Sequence, residues 1–149
     1  MILTAPQVII LIAPHFDEGS VVGCLSELRQ QGISVSLMGV TSGLIGSEHG
    51  VTLRPDSSLL TGDRLVSSRK QALVIAGGAA CAAAILSDPR SHELIRQILQ
   101  TDGYVAALSG AEGLVQEVMR PEWAARFGAQ SGVEGTAVFA QNLINHIST

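Results

Sequence analysis

Ser109 follows an apolar run, Tyr104 to Leu108, and precedes a helix-forming stretch, with only Gly110 as a pause. That order places a hydroxyl at the carboxyl end of a buried strand, with the next backbone N–H groups at a helix start. The spacing predicts a sharp nucleophile elbow, in which small neighbours permit a strained turn and the helix end favours an oxyanion. Ala107 and Ala111 stand where a G-x-S-x-G pattern has glycine. The plain alternative for Ser109 is a helix N-cap. His15, in a loop predicted at the same sheet edge, is the best-placed base, and Glu18 is placed to orient it; its plain alternative is a solvated loop histidine. His49, His92 and His146 read as surface residues. No metal site is expected, since no two His, Cys or Asp residues share ligand spacing on one element. Asp17 and Glu18 beside His15 read as acids favouring a helix N-terminus. No cofactor is implied.

The elements that must position these residues can be followed along the chain. Val8 to Ala13 is apolar throughout and predicts a strand buried on both faces. Pro14-His15-Phe16 is a loop, and Asp17, Glu18 or Ser20 can cap a helix carrying Val21, Cys24, Leu25 and Leu28 at helical spacing. Gly32 supplies its stop, and Ser34 to Val40 is a second strand. Leu44-Ile45 and Val51 to Leu53, punctuated by Gly43, Gly46 and Gly50, suggest a small hairpin, and Pro55 to Ser58 reads as a turn. Ala72 to Ala76 is a third buried strand, closed by Gly77-Gly78. Helices are expected over Ala79 to Leu86, ended by Ser87-Asp88-Pro89, which also starts the next, His92 to Gln100. Others are expected over Leu114 to Met119, Pro121 to Phe127 and Thr136 to Ile147. Strands alternating with helices over one domain, residues 1–149, predict an α/β fold. The form expected is a three-layer flavodoxin-like sandwich with a mostly parallel central sheet. Ligands of such sheets bind beyond the strand carboxyl ends, here Pro14–Ser20, Gly39–Gly43, Gly77–Ala80 and Ser109–Gly113.

The chain has 149 residues, a net charge of −4 and only 15% charged residues, where about a quarter is usual. Mean hydropathy is +0.35. So little charge predicts that some surface is covered by a partner, most simply a second copy of the chain. The basic residues are scattered, which argues against nucleic acid. The run Val8 to Ala13 is too short to span a bilayer and stops at Pro14, so no membrane association is expected and a cytoplasmic location is. Cys24 and Cys81 sit within apolar helical patterns and read as core residues in a reducing compartment.

Four stretches together resemble the DJ-1/PfpI (ThiJ) family, within the class I glutamine-amidotransferase-like fold. They are Val8-Ile-Ile-Leu-Ile-Ala-Pro-His-Phe-Asp-Glu18, Gly50-Val-Thr-Leu-Arg-Pro-Asp-Ser-Ser-Leu59, Ala72-Leu-Val-Ile-Ala-Gly-Gly78 and Val105-Ala-Ala-Leu-Ser-Gly110. The resemblance implies that the family's reactive cysteine falls on Ser109 and its conserved glutamate on Ser20. Glu18 lies two positions earlier and could substitute only in a remodelled loop. Gly77, Gly78 and the Gly110 N–H resemble the family's oxyanion-hole elements. The segment that carries further strands in relatives is here only Met119 to Glu134. Two readings follow. One is a dimeric binding or regulatory module without the family's thiolate chemistry, taking a small-molecule ligand. The other is a hydrolase or amidotransferase-like enzyme with Ser109 as nucleophile.

Overall fold

A computed structural model describes residues 7–61, 71–130 and 135–147. Strand β1 (Gln7–Ile12) leads to helix α1 (Glu18–Gln30) and strand β2 (Ser34–Gly39). The antiparallel pair β3 (Ile45–Gly46) and β4 (Thr52–Leu53) projects from the sheet, and β5 (Ser57–Ser58) rejoins it. Then come β6 (Gln71–Ile75), α2 (Ala79–Leu86), α3 (Pro89–Gln100), β7 (Tyr104–Ala107) and α4 (Glu112–Val118). A 3-10 segment (Pro121–Arg126), β8 (Phe127–Ala129) and α5 (Thr136–Ile147) complete the described chain.

The sheet order is β5-β2-β1-β6-β7-β8, with every pairing parallel. Leaving out the β5 edge, this is the 2-1-3-4-5 order of flavodoxin-like sheets, and the winding reverses between β1 and β6. Val8 to Ile12 and Ala72 to Ile75 are fully buried, as a strand covered on both faces must be. Helix α1 packs on α5, and α2 packs on α3 and α4. The local signals act as expected. Asp17 caps α1 by accepting from Gly19 N–H, Gly32 turns the chain out with φ 77°, and Asp88 caps α3 ahead of Pro89. Among the described residues no helix is long and apolar enough to cross a membrane.

Three local readings are corrected. Ser57–Ser58, expected within a turn, forms a parallel edge strand against Met38 and Gly39. The outer edge of β2 has backbone groups to satisfy: Leu37 N–H donates to Asp56 Oδ2, and Asp56 N–H donates to Leu37 O, both at 2.8 Å. The helix expected over 121–127 is a 3-10 segment. The short stretch after Met119 does contribute a strand, β8, beside β7; its part from residue 131 to Glu134 lies outside the described residues. Gly128 permits that strand because any Cβ there would collide with the Tyr104 hydroxyl. Tyr104 in turn stacks on His146 of α5, with ring centroids 4.3 Å apart. Arg126 fastens the same edge by donating to Leu99 O at 2.7 Å and pairing with Asp102 at 2.8 Å.

Two substitutions test this packing. Ile10→Ala in β1, at 0% exposure, is expected to cost roughly 2–5 kcal/mol in a urea titration, because the surrounding sheet cannot collapse onto the gap. Ser91→Ala should leave stability unchanged or raise it by up to about 1 kcal/mol, since the Ser91 hydroxyl is buried with no partner among the described residues. A large loss from Ser91→Ala would show that this hydroxyl is satisfied after all.

Candidate functional site

Three of the four loops named above converge at the β1/β6 switch point and the adjoining end of β7. The Asp17 N–H donates to Gly77 O at 3.1 Å, joining the first loop to the second. Gly78 has φ 96°, and a Cβ there would lie 2.9 Å from His15 O. Gly77 is pressed against the third loop so closely that a Cβ would be driven into the Ser109 carbonyl oxygen. Gly110 has φ 100°, and its Cβ would lie 3.1 Å from Gly78 N. The glycines at 77, 78 and 110 are therefore required by backbone meeting backbone. The fourth loop is tied in from the side, with Val40 N–H donating to Ile12 O at 3.0 Å.

Ser109 is half-buried at the end of β7. The chain takes three residues, Ser109 to Ala111, to reach α4, so the expectation of an immediate helix start is corrected. The strain also lies elsewhere. Among the described residues, positive φ outside glycine occurs only at His15 (70°) and Asp102 (63°), while Gly110 absorbs the elbow's turn. The plain N-cap reading does not hold either, because the cap position is Ala111. Ser109 N–H donates to Gln130 Oε1 at 3.0 Å, and Gly110 N–H donates to Glu112 Oε2 at 2.8 Å. Both elbow amides are thus held by side chains of the same chain.

The remaining candidates are distributed as follows. His15 is exposed, and its backbone N–H donates to Gly46 O at 2.9 Å. No hydrogen bond joins its ring to Ser109 or Glu18 among the described residues. Ser20 is buried, and its hydroxyl donates to Asp17 O at 3.2 Å, back into its own helix start. Glu18 turns to the hairpin: Ser47 Oγ and His49 N–H each donate to its Oε1 at 3.0 Å, and His49 Nδ1 lies 3.1 Å from Oε2. Gln130, Glu112, Ser47 and His49 were not foreseen as partners of the site. Only Glu112, two residues after Gly110, carried a sequence signal. Both thiols are buried, and burial pushes Cys24 up to about 12 and Cys81 up to about 11. Among the described residues no cluster of three His, Cys, Asp or Glu is placed to hold a metal ion.

The Glu18–His49 pair makes the hairpin's attachment sensitive to pH. The Glu18 hydrogen bond and charge raise His49 above its ordinary 6.5 against desolvation, with lesser help from the charges of Glu48 and Asp17. For Glu18, desolvation raises the carboxyl, but hydrogen bonds from His49, its own backbone and Ser47 outweigh it and leave the group below 4.5. A raised histidine contributes fully below pH 6.5 and loses its contribution as pH rises through the elevated value. A lowered carboxylate contributes above 4.5 and loses its contribution as pH falls. The pair is therefore strongest between those two ordinary values, although His49, at 73% exposure, is screened by solvent. The His49 ring, followed by NMR, is expected to titrate above its ordinary value and to move down in Glu18→Gln. An unchanged midpoint in the variant would exclude the coupling.

Comparison with known proteins agrees with the fold. The sequence matches the DJ-1/PfpI family over residues 6–119. Among solved structures, Toxoplasma gondii DJ-1 in its oxidized form superposes with a TM-score of 0.77 at 16% identity, covering 93% of this chain and 89% of that one. Drosophila melanogaster DJ-1beta gives 0.76 at 16% identity, covering 98% and 92%. A mutant of a DJ-1 superfamily protein from Salmonella typhimurium gives 0.72 at 17% identity, covering 93% and 90%. A comparison with curated protein sequences finds no match. With the family pattern spanning most of its length and the same fold underneath, the chain belongs to the DJ-1/PfpI family.

Proposed function

We propose that this DJ-1/PfpI domain works without the family's cysteine chemistry, as a homodimeric binding or regulatory module in the cytoplasm. One observation carries the reading: the Gly110 N–H is held at 2.8 Å by the Glu112 carboxylate. A fixed negative charge where an oxyanion would develop opposes the transition state that such a site must stabilise. Ser109 adds to this, because a hydroxyl without a base stays protonated at neutral pH. Neither thiol can substitute, each being buried with its pKa raised.

The surface supports the dimeric part. Val22, Leu44 and Val51 are three of the large apolar side chains left exposed. They lie on α1 and around the β3–β4 hairpin, two elements that Glu18 ties together through Ser47 and His49. A shallow hollow on α1 lined by Val22, Leu25, Ser26, Arg29 and Gln30 continues that face. Burying it against a second copy would satisfy a chain so poor in charge.

A serine-nucleophile hydrolase or amidotransferase-like enzyme is the second reading. The half-exposed Ser109 beside the packed Gly77–Gly78 and Gly110 backbones favours it. In that mechanism Ser109 attacks a carbonyl, His15 takes its proton and the Gly78 and Gly110 amides hold the oxyanion, which requires Glu112 to swing away.

Three measurements separate these readings. The native protein should neither turn over methylglyoxal nor react with a thiol probe, whereas Ser109→Cys should gain labelling at one site; robust turnover by the unmodified protein would sink the main proposal. A fluorophosphonate should leave Ser109 unlabelled, while labelling that disappears in Ser109→Ala would establish the second reading. Sedimentation should give a dimer that Val22→Glu with Leu44→Glu converts to a folded monomer. A monomeric native protein at micromolar concentration would remove the dimer.

A further inference from the structure

A recess of about 170 Å³ lies between α3 and the end of α4 with the chain that follows it. It is lined by His92, Ile95, Arg96, Val118, Arg120 and Trp123, none of which belongs to the loops at the strand carboxyl ends. Its lining combines two kinds of surface that a single ligand can join. Buried Ile95, half-buried Val118 and the ring of Trp123 are apolar. Arg96 and Arg120 bring two guanidinium groups, in a chain with nine basic residues against thirteen acidic ones. No acid lines the recess. Glu93, which pairs with Arg96, and Glu122, which stands 3.9 Å from Arg120, lie outside it.

The polar groups differ in what they can still do. The Arg96 guanidinium is committed to Glu93 and to Gln100 Oε1, so its charge is already balanced and Arg120 is the less committed of the two cations. His92 is held by its Nε2, 2.6 Å from Leu86 O, and forms a fixed planar side. Arg120 lies over the Trp123 ring, with Cζ 5.2 Å from the centroid. That contact orients the guanidinium while leaving its N–H edges available, and its pairing with the well-exposed Glu122 is weak. A planar fork of donors beside an apolar hollow matches a carboxylate carried on a flat apolar body. The size is also suitable, since an apolar cavity of about 150 Å³ accommodates a benzene ring.

We propose that this recess binds a small planar carboxylate, an aromatic or heteroaromatic monoacid. The acid group sits on the Arg120 guanidinium and the ring on Ile95, Val118 and the edge of Trp123. The proposal is independent of the elbow and of the dimer.

Trp123 is the chain's single tryptophan, so its indole N–H gives one unambiguous NMR cross-peak in the full chain. Titration with benzoate should shift that peak saturably. Benzamide, which lacks the charge, and inorganic phosphate, which lacks the ring, should each bind at least about tenfold more weakly. Arg120→Met should weaken benzoate by a similar factor and, at a residue whose side chain is 64% exposed, should leave the fold intact. Val118→Phe, filling the recess, should abolish the saturable shift while the remaining spectrum is kept. A benzoate shift that does not saturate would overturn the proposal. So would equal binding of benzamide or phosphate, or indifference to both substitutions.

Discussion

The site is built on the contact of the Gly77 backbone with the Ser109 carbonyl. Parallel strands β6 and β7 end side by side, and each must hand its chain to a helix within a few residues, so their turns meet with no space for side chains. The first loop is drawn into the same contact by the bond from Asp17 N–H to Gly77 O. The position of Ser109, the opening left to solvent and the direction of the elbow amides all depend on that backbone packing. It also explains why this chain needs glycine at 77, 78 and 110.

Packed glycines place donors, but charge decides what the donors are for. In this chain the elbow amides point at a glutamine oxygen and a glutamate carboxylate rather than at an open hollow. Both amides are therefore engaged within the chain itself. The acidic side chain at the start of α1 is likewise engaged, by the hairpin.

The sequence revealed the parts of the fold that depend on long or local signals. Val8 to Ile12 and Ala72 to Ile75 are continuous apolar strands because both sheet faces are covered, and α2 begins and ends where its apolar run does. Pro89 after Asp88 marked the break between α2 and α3 through capping chemistry alone. What was not legible was short or distant. Ser57–Ser58 and Phe127–Ala129 are too brief to show a period, and their strand state is imposed by the exposed edges they complete. The partners of Glu18 lie about thirty residues away and Gln130 lies 21 from Ser109, separations that no local pattern encodes. Glu112 was visible beside the elbow, yet its side chain folding back on Gly110 depends on the turn being three residues long.

The Tyr104 ring reaches in two directions, touching His146 of the last helix while its hydroxyl abuts Gly128 of the edge strand. One aromatic ring therefore joins the edge strand to the last helix. Neither β8 nor α5 can detach without uncovering the same aromatic surface, so hydrogen exchange in these two elements should share one opening free energy, as a single cooperative unit.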